Sequence, residues 1–159
     1  MSTPNRYLLL FFFVTVFISL ALGKQVFASE HPKKFTVITT VAPITNMVRN
    51  IGGVYIDVIG VVPDGVDSHT FEPIPSDIKT LQAADLIIAN GLDLELPTLK
   101  LAEKVKKPAT RVVQLGNRTL KEEDWQYDFS FPREHGHPNP HLWLNIQLVM
   151  QYAEIIRDS

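Results

Sequence analysis

The sequence predicts an α/β fold, a four-stranded parallel sheet flanked by helices. Two observations carry this. Four short, β-branched, nearly uniformly apolar runs alternate with segments of helical periodicity, the signature of parallel strands joined by right-handed crossovers. The runs also lack the polar alternation of a half-exposed strand, as strands covered on both faces should. Neither an internal repeat nor a coiled-coil heptad competes with that pattern.

Taken in order, Glu30 to Lys34 is a polar leader and Phe35 to Val41 (FTVITTV) is the first strand. Pro43 opens a helix through Ile51, with Ile44, Met47, Val48 and Ile51 at helical spacing, and Gly52-Gly53 ends it. Ile56 to Val62 (IDVIGVV) is the second strand, followed by a Pro63-Asp64-Gly65 turn. Ser76 and Asp77 read as the N-cap and first turn of a helix with Ile78, Leu81 and Ala84 as its apolar stripe. Leu86 to Asn90 is the third strand. A helix then runs from the Gly91-Leu92-Asp93 turn to about Lys107 and stops before Pro108. Arg111 to Leu115 is the fourth strand. Gly116 to Pro140 is a long polar connection, of the kind that is usually functional or disordered. From Leu142 on, Trp143, Leu144, Ile146, Leu148, Val149, Tyr152, Ile155 and Ile156 predict an amphipathic helix still running at Ser159. The chain therefore reads as the N-terminal part of a longer protein; the other reading is that this helix packs back and completes a small domain.

Residues 1–28 read as a signal peptide. Arg6 is a basic n-region, Tyr7 to Leu22 is an apolar run broken only by Thr15 and Ser19, and Val26-Phe27-Ala28 fits a small-x-small cleavage site before Ser29. The run falls short of the roughly 20 residues of a spanning helix, so cleavage is expected over an uncleaved anchor. The expected location is the periplasm or the cell exterior. The chain has no cysteine, which removes both disulfide staples and a lipobox anchor. Fifteen basic against seventeen acidic residues, net charge -2, leave no cationic footprint for nucleic acid.

Two histidines stand out. His69 lies in Asp67-Ser68-His69-Thr70-Phe71-Glu72-Pro73, and His141 in Pro138-Asn139-Pro140-His141-Leu142-Trp143-Leu144. Neutral imidazole is the commonest protein ligand for transition metals. Without cysteine, a site here is built from nitrogen and oxygen donors, which suits Zn2+ or Mn2+ and excludes thiolate and iron–sulfur chemistry. His69 follows the carboxyl end of the second strand, where ligands bind in open α/β sheets. Pro63, Pro73 and Pro75 stiffen its approach, and Pro138 and Pro140 stiffen that of His141, with Trp143 and Leu144 as core anchors. The alternatives are a surface histidine at 69 and an ordinary helix-start contact at 141. His135 and His137 are auxiliary metal candidates on a loop that equally reads as solvated. Glu72 could orient an imidazole, form a loop ion pair or accept backbone N–H bonds.

No nucleophile elbow, His-Glu-x-x-His helix or phosphate-binding glycine loop is present, so the reading is not an enzyme. An exported metal-dependent hydrolase, with Glu72 as its general base, and a metal-linked adhesin or interaction module are the alternatives.

The Phe35–Pro43 strand entry, the Asp67–Pro75 stretch, Ala83-Ala84-Asp85-Leu86 with Asn90-Gly91-Leu92, and Asn139-Pro140-His141-Leu142-Trp143-Leu144 resemble the N-terminal lobe of the zinc/manganese-type solute-binding proteins of ABC importers. The resemblance runs from about Phe35 to the end. It implies two lobes joined by a long rigid helix, with a divalent metal held between them; the expected partner is an importer's membrane permease and the expected state a monomer. It assigns 29–144 to the metal-binding lobe and 145–159 to the start of the inter-lobe helix, with the C-terminal lobe absent, so that the chain is a truncated or fragment form. The family's first two ligands fall on His69 and His141; its remaining ligands have no counterpart here. Nitrogen donors and the short His loop favour zinc over manganese.

Overall fold

The computed structural model describes residues 33–159. The signal-peptide reading of 1–28 lies outside them. The described strands are β1 (Phe35–Thr39), β2 (Ile56–Gly60), β3 (Leu86–Ala89) and β4 (Arg111–Gln114). All pair in parallel, in the order β2-β1-β3-β4. The register sets Val37 against Val58 and Ile38 against Ile87. The expected four-stranded α/β sheet is therefore present.

The helices are α1 (Ala42–Gly52), α2 (Pro75–Ala83), α3 (Leu96–Val105), α4 (Leu115–Thr119) and α5 (Ile146–Arg157). The first three carry a proline in their opening turn, where its missing N–H breaks no helical bond. Successive strand residues serve opposite faces. Val37, Leu86, Ile88 and Val113 pack with Ile44 and Val48 of α1 and Tyr152 and Ile156 of α5. Ile38 and Ile87 pack with Leu81 of α2 and Ala102 of α3. Ile38, Ile87 and Leu81 are fully buried, and each contributes about 1.5–3 kcal/mol by leaving water.

Several boundaries differ from the sequence reading. Strands 1 and 2 are shorter in regular pairing, although Val61 N–H still donates to the Thr39 carbonyl at 2.8 Å and Val62 N–H to Thr40 at 2.9 Å. Ser76 does not cap α2. The helix starts at Pro75, and Asp77 caps it by accepting the Ile74 N–H at 2.8 Å, because Pro75 already holds the first helical φ. The polar connection after β4 opens with α4 and carries single 3₁₀ turns at Glu122–Asp124 and Arg133–His135. The last helix does not begin at Leu142. Leu142–Leu144 is a 3₁₀ turn, after which Asn145 accepts the Gln147 N–H at 2.9 Å and starts α5. Within that turn Leu142 is buried while Leu144 is 79% exposed. Leu142, with the partly buried Trp143, is therefore the anchor, since residues two apart in a 3₁₀ turn cannot share a face.

The sheet order reverses between β1 and β3. The carboxyl ends of these strands open the crevice where such folds bind ligands.

Candidate metal centre

Both marked histidines reach this rim. His69 lies in the connection from β2 to α2, and His141 at the entry to the 3₁₀ turn before α5. Their Nε2 atoms stand 3.2 Å apart, and their ring centroids 5.2 Å apart. Loops far apart in the chain thus converge on one point at the open side of the sheet.

The same local device holds each histidine: an Asx residue two positions earlier. Asp67 Oδ1 accepts the His69 N–H at 2.9 Å, and its Oδ2 accepts the Thr70 hydroxyl at 3.3 Å. Asn139 Oδ1 accepts the His141 N–H at 2.9 Å and also meets His141 Nδ1 at 2.7 Å. Such Asx turns lock a loop backbone locally. The Asx-x-His spacing is visible in the sequence, whereas the prolines alone draw attention there.

At His141 the second bond decides the chemistry. Asn139 Nδ2 donates to Asp128 Oδ2 at 2.5 Å, so its Oδ1 faces the imidazole as an acceptor. His141 therefore carries its proton on Nδ1 and turns a bare Nε2 lone pair toward His69, as outer-shell partners do at metal sites. Asp128 also accepts the backbone N–H groups of Ser130 and Phe131. The Asn139 bond, aided by these two, holds the Asp128 carboxyl below its usual range. Burial, reinforced by the neighbouring His69, pushes the His141 imidazole pKa below its ordinary value, while Asp128 works weakly in the other direction. His69 is exposed and His141 half-buried.

Two aromatic rings frame the pair. Phe131 lies 5.7 Å from His69 and 5.5 Å from His141, centroid to centroid, and Trp143 meets His141 edge-on at 5.1 Å. Phe131 carried no signal in the sequence because it sits in a polar connection without periodicity.

His69 and Phe131 also border an open depression of about 280 Å³ that His135, His137 and Asp93 share. His137 is tied down rather than simply solvated: its Nδ1 pairs with Asp93 Oδ2 at 3.0 Å. Asp93 and Leu92 both hold positive φ, 63° and 53°, next to Gly91 at 80°. A Cβ on Gly91 would fall 2.2 Å from Asn117 Oδ1, the atom that accepts the Leu92 N–H at 3.0 Å. Left-handed non-glycine residues cost about 1–3 kcal/mol each and gather at functional loops. Among the described residues Glu72 takes up none of the bonded roles considered for it. It is exposed and makes no hydrogen bond or ion pair with the described residues. Its place as orienting group is taken by Asn139, which reaches the ring from the histidine's own loop. No group of three or more His, Cys, Asp or Glu side chains able to hold a metal occurs among the described residues; what they bring together here is the pair of imidazoles of His69 and His141.

Comparison with known proteins agrees with this architecture. The chain is 35% identical to the manganese ABC transporter substrate-binding lipoprotein PsaA of Streptococcus anginosus, over 98% of this chain and 50% of that protein. It is 34% identical to the iron-binding protein YfeA of Yersinia pestis, over 82% of this chain and 40% of that one. The fold superposes on the Mn-bound periplasmic metal-binding protein of Candidatus Liberibacter asiaticus with a TM-score of 0.66 and 29% identity, covering 79% of this chain and 44% of that structure. It also superposes on the periplasmic zinc-binding protein TroA of Treponema pallidum, with a TM-score of 0.66 and 27% identity, covering 77% and 42%. The chain spans about half the length of the curated relatives it matches. Residues 37–159 match the model of the ZnuA family, zinc-uptake complex component A, periplasmic, and the chain belongs to that family of metal-binding transport proteins.

Proposed function

We propose that this chain captures a divalent metal on His69 and His141 outside the cytoplasmic membrane, as part of the solute-binding component of an ABC importer. The observation that carries this reading is the 3.2 Å separation of the two Nε2 atoms. A tetrahedral ion bound at 2.0–2.1 Å to two imidazoles spans about 3.3 Å between nitrogens. The lone pair on His141 is ready, and His69 becomes a donor by moving one proton between its own ring nitrogens. The two imidazoles fill half of a four-coordinate site. Water, or donors from another part of a longer protein, fill the rest.

Zinc is the favoured cargo over manganese, since nitrogen donors bind it more tightly in the usual affinity order. The relatives' names include manganese, zinc and iron. The partner is an importer permease, and the protein acts as an exported monomer without a lipid anchor, there being no cysteine to acylate. It performs no covalent chemistry: a hydrolase would need a base beside the ion, and Glu72 has no hydrogen bond or ion pair among the described residues that would aim it there.

Calorimetric titration of the chain with zinc and with manganese tests this. One site per chain, tighter for zinc, is expected; absence of saturable binding to either would end the proposal. Replacing Asn139 by alanine frees the His141 tautomer and should weaken zinc binding about 10–100-fold, as loss of an outer-shell partner does. Equal affinity in wild type and Asn139→Ala would show that the ring needs no orientation.

Acid should release the ion. Only neutral imidazole binds metal, and the His141 pKa lies below its ordinary 6.5. Proton competition at His141 therefore begins only as pH falls through that depressed value. Below it, each pH unit costs about tenfold in affinity from His141 alone. Zinc titrations at a series of pH values should be flat above neutrality and fall on the acid side; a fall that begins in the alkaline range would contradict the assignment.

A further inference from the structure

Beneath the imidazole pair lies a buried polar network centred on Asn90, at the carboxyl end of β3. Asn90, Thr40, Glu95 and Tyr152 are each at most 1% exposed. The Asn90 side-chain amide can sit only one way round. Its Nδ2 donates to the Pro140 carbonyl at 3.0 Å and to the Gly91 carbonyl at 3.1 Å. Both partners are acceptors only, so the oxygen cannot occupy that place. Its Oδ1 accepts the Tyr152 hydroxyl of α5 at 3.0 Å. The Asn90 backbone N–H donates to Glu95 Oε1 at 2.7 Å, which also accepts the Thr40 hydroxyl at 2.5 Å. The Asn90 carbonyl accepts the Gly116 N–H of α4 at 2.8 Å.

One of these bonds reaches the metal centre. Pro140 has no N–H of its own, and its carbonyl belongs to the peptide that enters His141. The Asn90 amide ties that peptide to the end of a central strand. Tyr152 of α5 holds the Asn90 side chain, and Glu95 at the start of α3 holds its backbone N–H. Asn139 sets the ring's tautomer, but its loop is exposed on one side. The tie to β3 is the buried one.

We propose that Asn90 is a positioning residue for His141: through the Pro140 carbonyl it fixes where the His141 imidazole stands relative to His69, with Tyr152 holding the Asn90 amide in the required orientation. The proposal rests on the reading of His141 as a metal donor. A purely structural role would lower stability without acting through His141, and this separates the two.

The test uses the whole chain and zinc alone, titrated against a chromophoric chelator. Asn90→Ala is expected to weaken zinc binding about tenfold, the low end for outer-shell changes, and Tyr152→Phe to weaken it less while keeping the core volume. In a His141→Ala background, titrated with zinc directly at concentrations high enough to fill the weak residual site, both losses should vanish. Equal losses with and without His141, or no loss in either folded variant, would overturn the proposal. Tyr152→Phe decides if Asn90→Ala does not fold. Imidazole nitrogen NMR of the metal-free protein reads the positioning directly. Wild type should show a slowly exchanging His141 Nδ1–H, and both variants should broaden or lose it; an unchanged signal refutes positioning even where zinc binding is confirmed. If His141→Ala alone leaves zinc affinity unaltered, the metal reading has failed, and the NMR signal alone then judges the role of Asn90.

Discussion

Replacing both His69 and His141 by alanine is expected to abolish measurable zinc binding while leaving the fold intact. Structural zinc sites with four ligands bind with about 10–16 kcal/mol, so each ligand accounts for about 3 kcal/mol or more. Removing two should cost about 6 kcal/mol, a factor of about 10⁴. His69 is exposed and His141 half-buried, so neither truncation opens a large cavity, and the thermal transition should move little. Each single variant should lose most of the affinity, because one imidazole alone is no better than a surface histidine. Calorimetry with circular dichroism on the same samples gives both answers. Affinity that survives the double substitution would move the centre elsewhere, to His135 and to the His137–Asp93 pair.

Glu95→Ala is expected to be the most damaging single change to stability near the site. Its carboxyl is 1% exposed and receives the Thr40 hydroxyl and the Asn90 N–H, with longer contacts from the Gly91 N–H. Alanine would strand two well-bonded donors in the interior at about 1–3 kcal/mol each, hence about 2–6 kcal/mol in all. Against a total stability of about 5–15 kcal/mol, that is a large fraction. Glu95→Gln should cost far less, since its amide oxygen can take the Oε1 position and keep the two short bonds. The pH dependence carries a sign. Burial pushes the Glu95 carboxyl pKa up, and the bonds from Thr40, Asn90 and Gly91 pull it part of the way back. A raised acid pKa in the folded state means a contribution fully present below the unfolded value of 4.5 and lost as pH rises through the folded value. Glu95→Gln should remove that segment of the stability–pH curve. Urea denaturation at several pH values checks it, and a Glu95→Ala protein as stable as wild type would mean that the network is slack.

The parallel sheet was legible because Phe35–Thr39 and Leu86–Ala89 carry apolar residues on both faces, and only strands covered on both sides read so. Helix starts were less legible. Ser76 has cap chemistry, but Pro75 sets the first turn and Asp77 caps from inside it. The start of α5 was hidden because Leu142, Trp143 and Leu144 continue its apolar run, while Asn145 is the residue that stops one turn and begins the next. At the site, His69 and His141 were legible by residue type and proline setting. Asn139 and Asp67 were in view at the same spacing, yet their role depends on where a side-chain oxygen points. Asn90, Glu95 and Tyr152 left no trace as a group, since a hydrogen-bond network joins residues that share no local pattern.

Residue type and periodicity along the chain were enough to read the α/β class and the donor chemistry open to a cysteine-free chain, and to mark His69 and His141 as candidates. Tertiary structure alone decided that the two rings meet at 3.2 Å, that Asn139 turns one lone pair toward the other, and that a buried amide tethers the loop. Those are distances between segments brought together by strand order, and no pattern along a chain encodes a distance across a sheet.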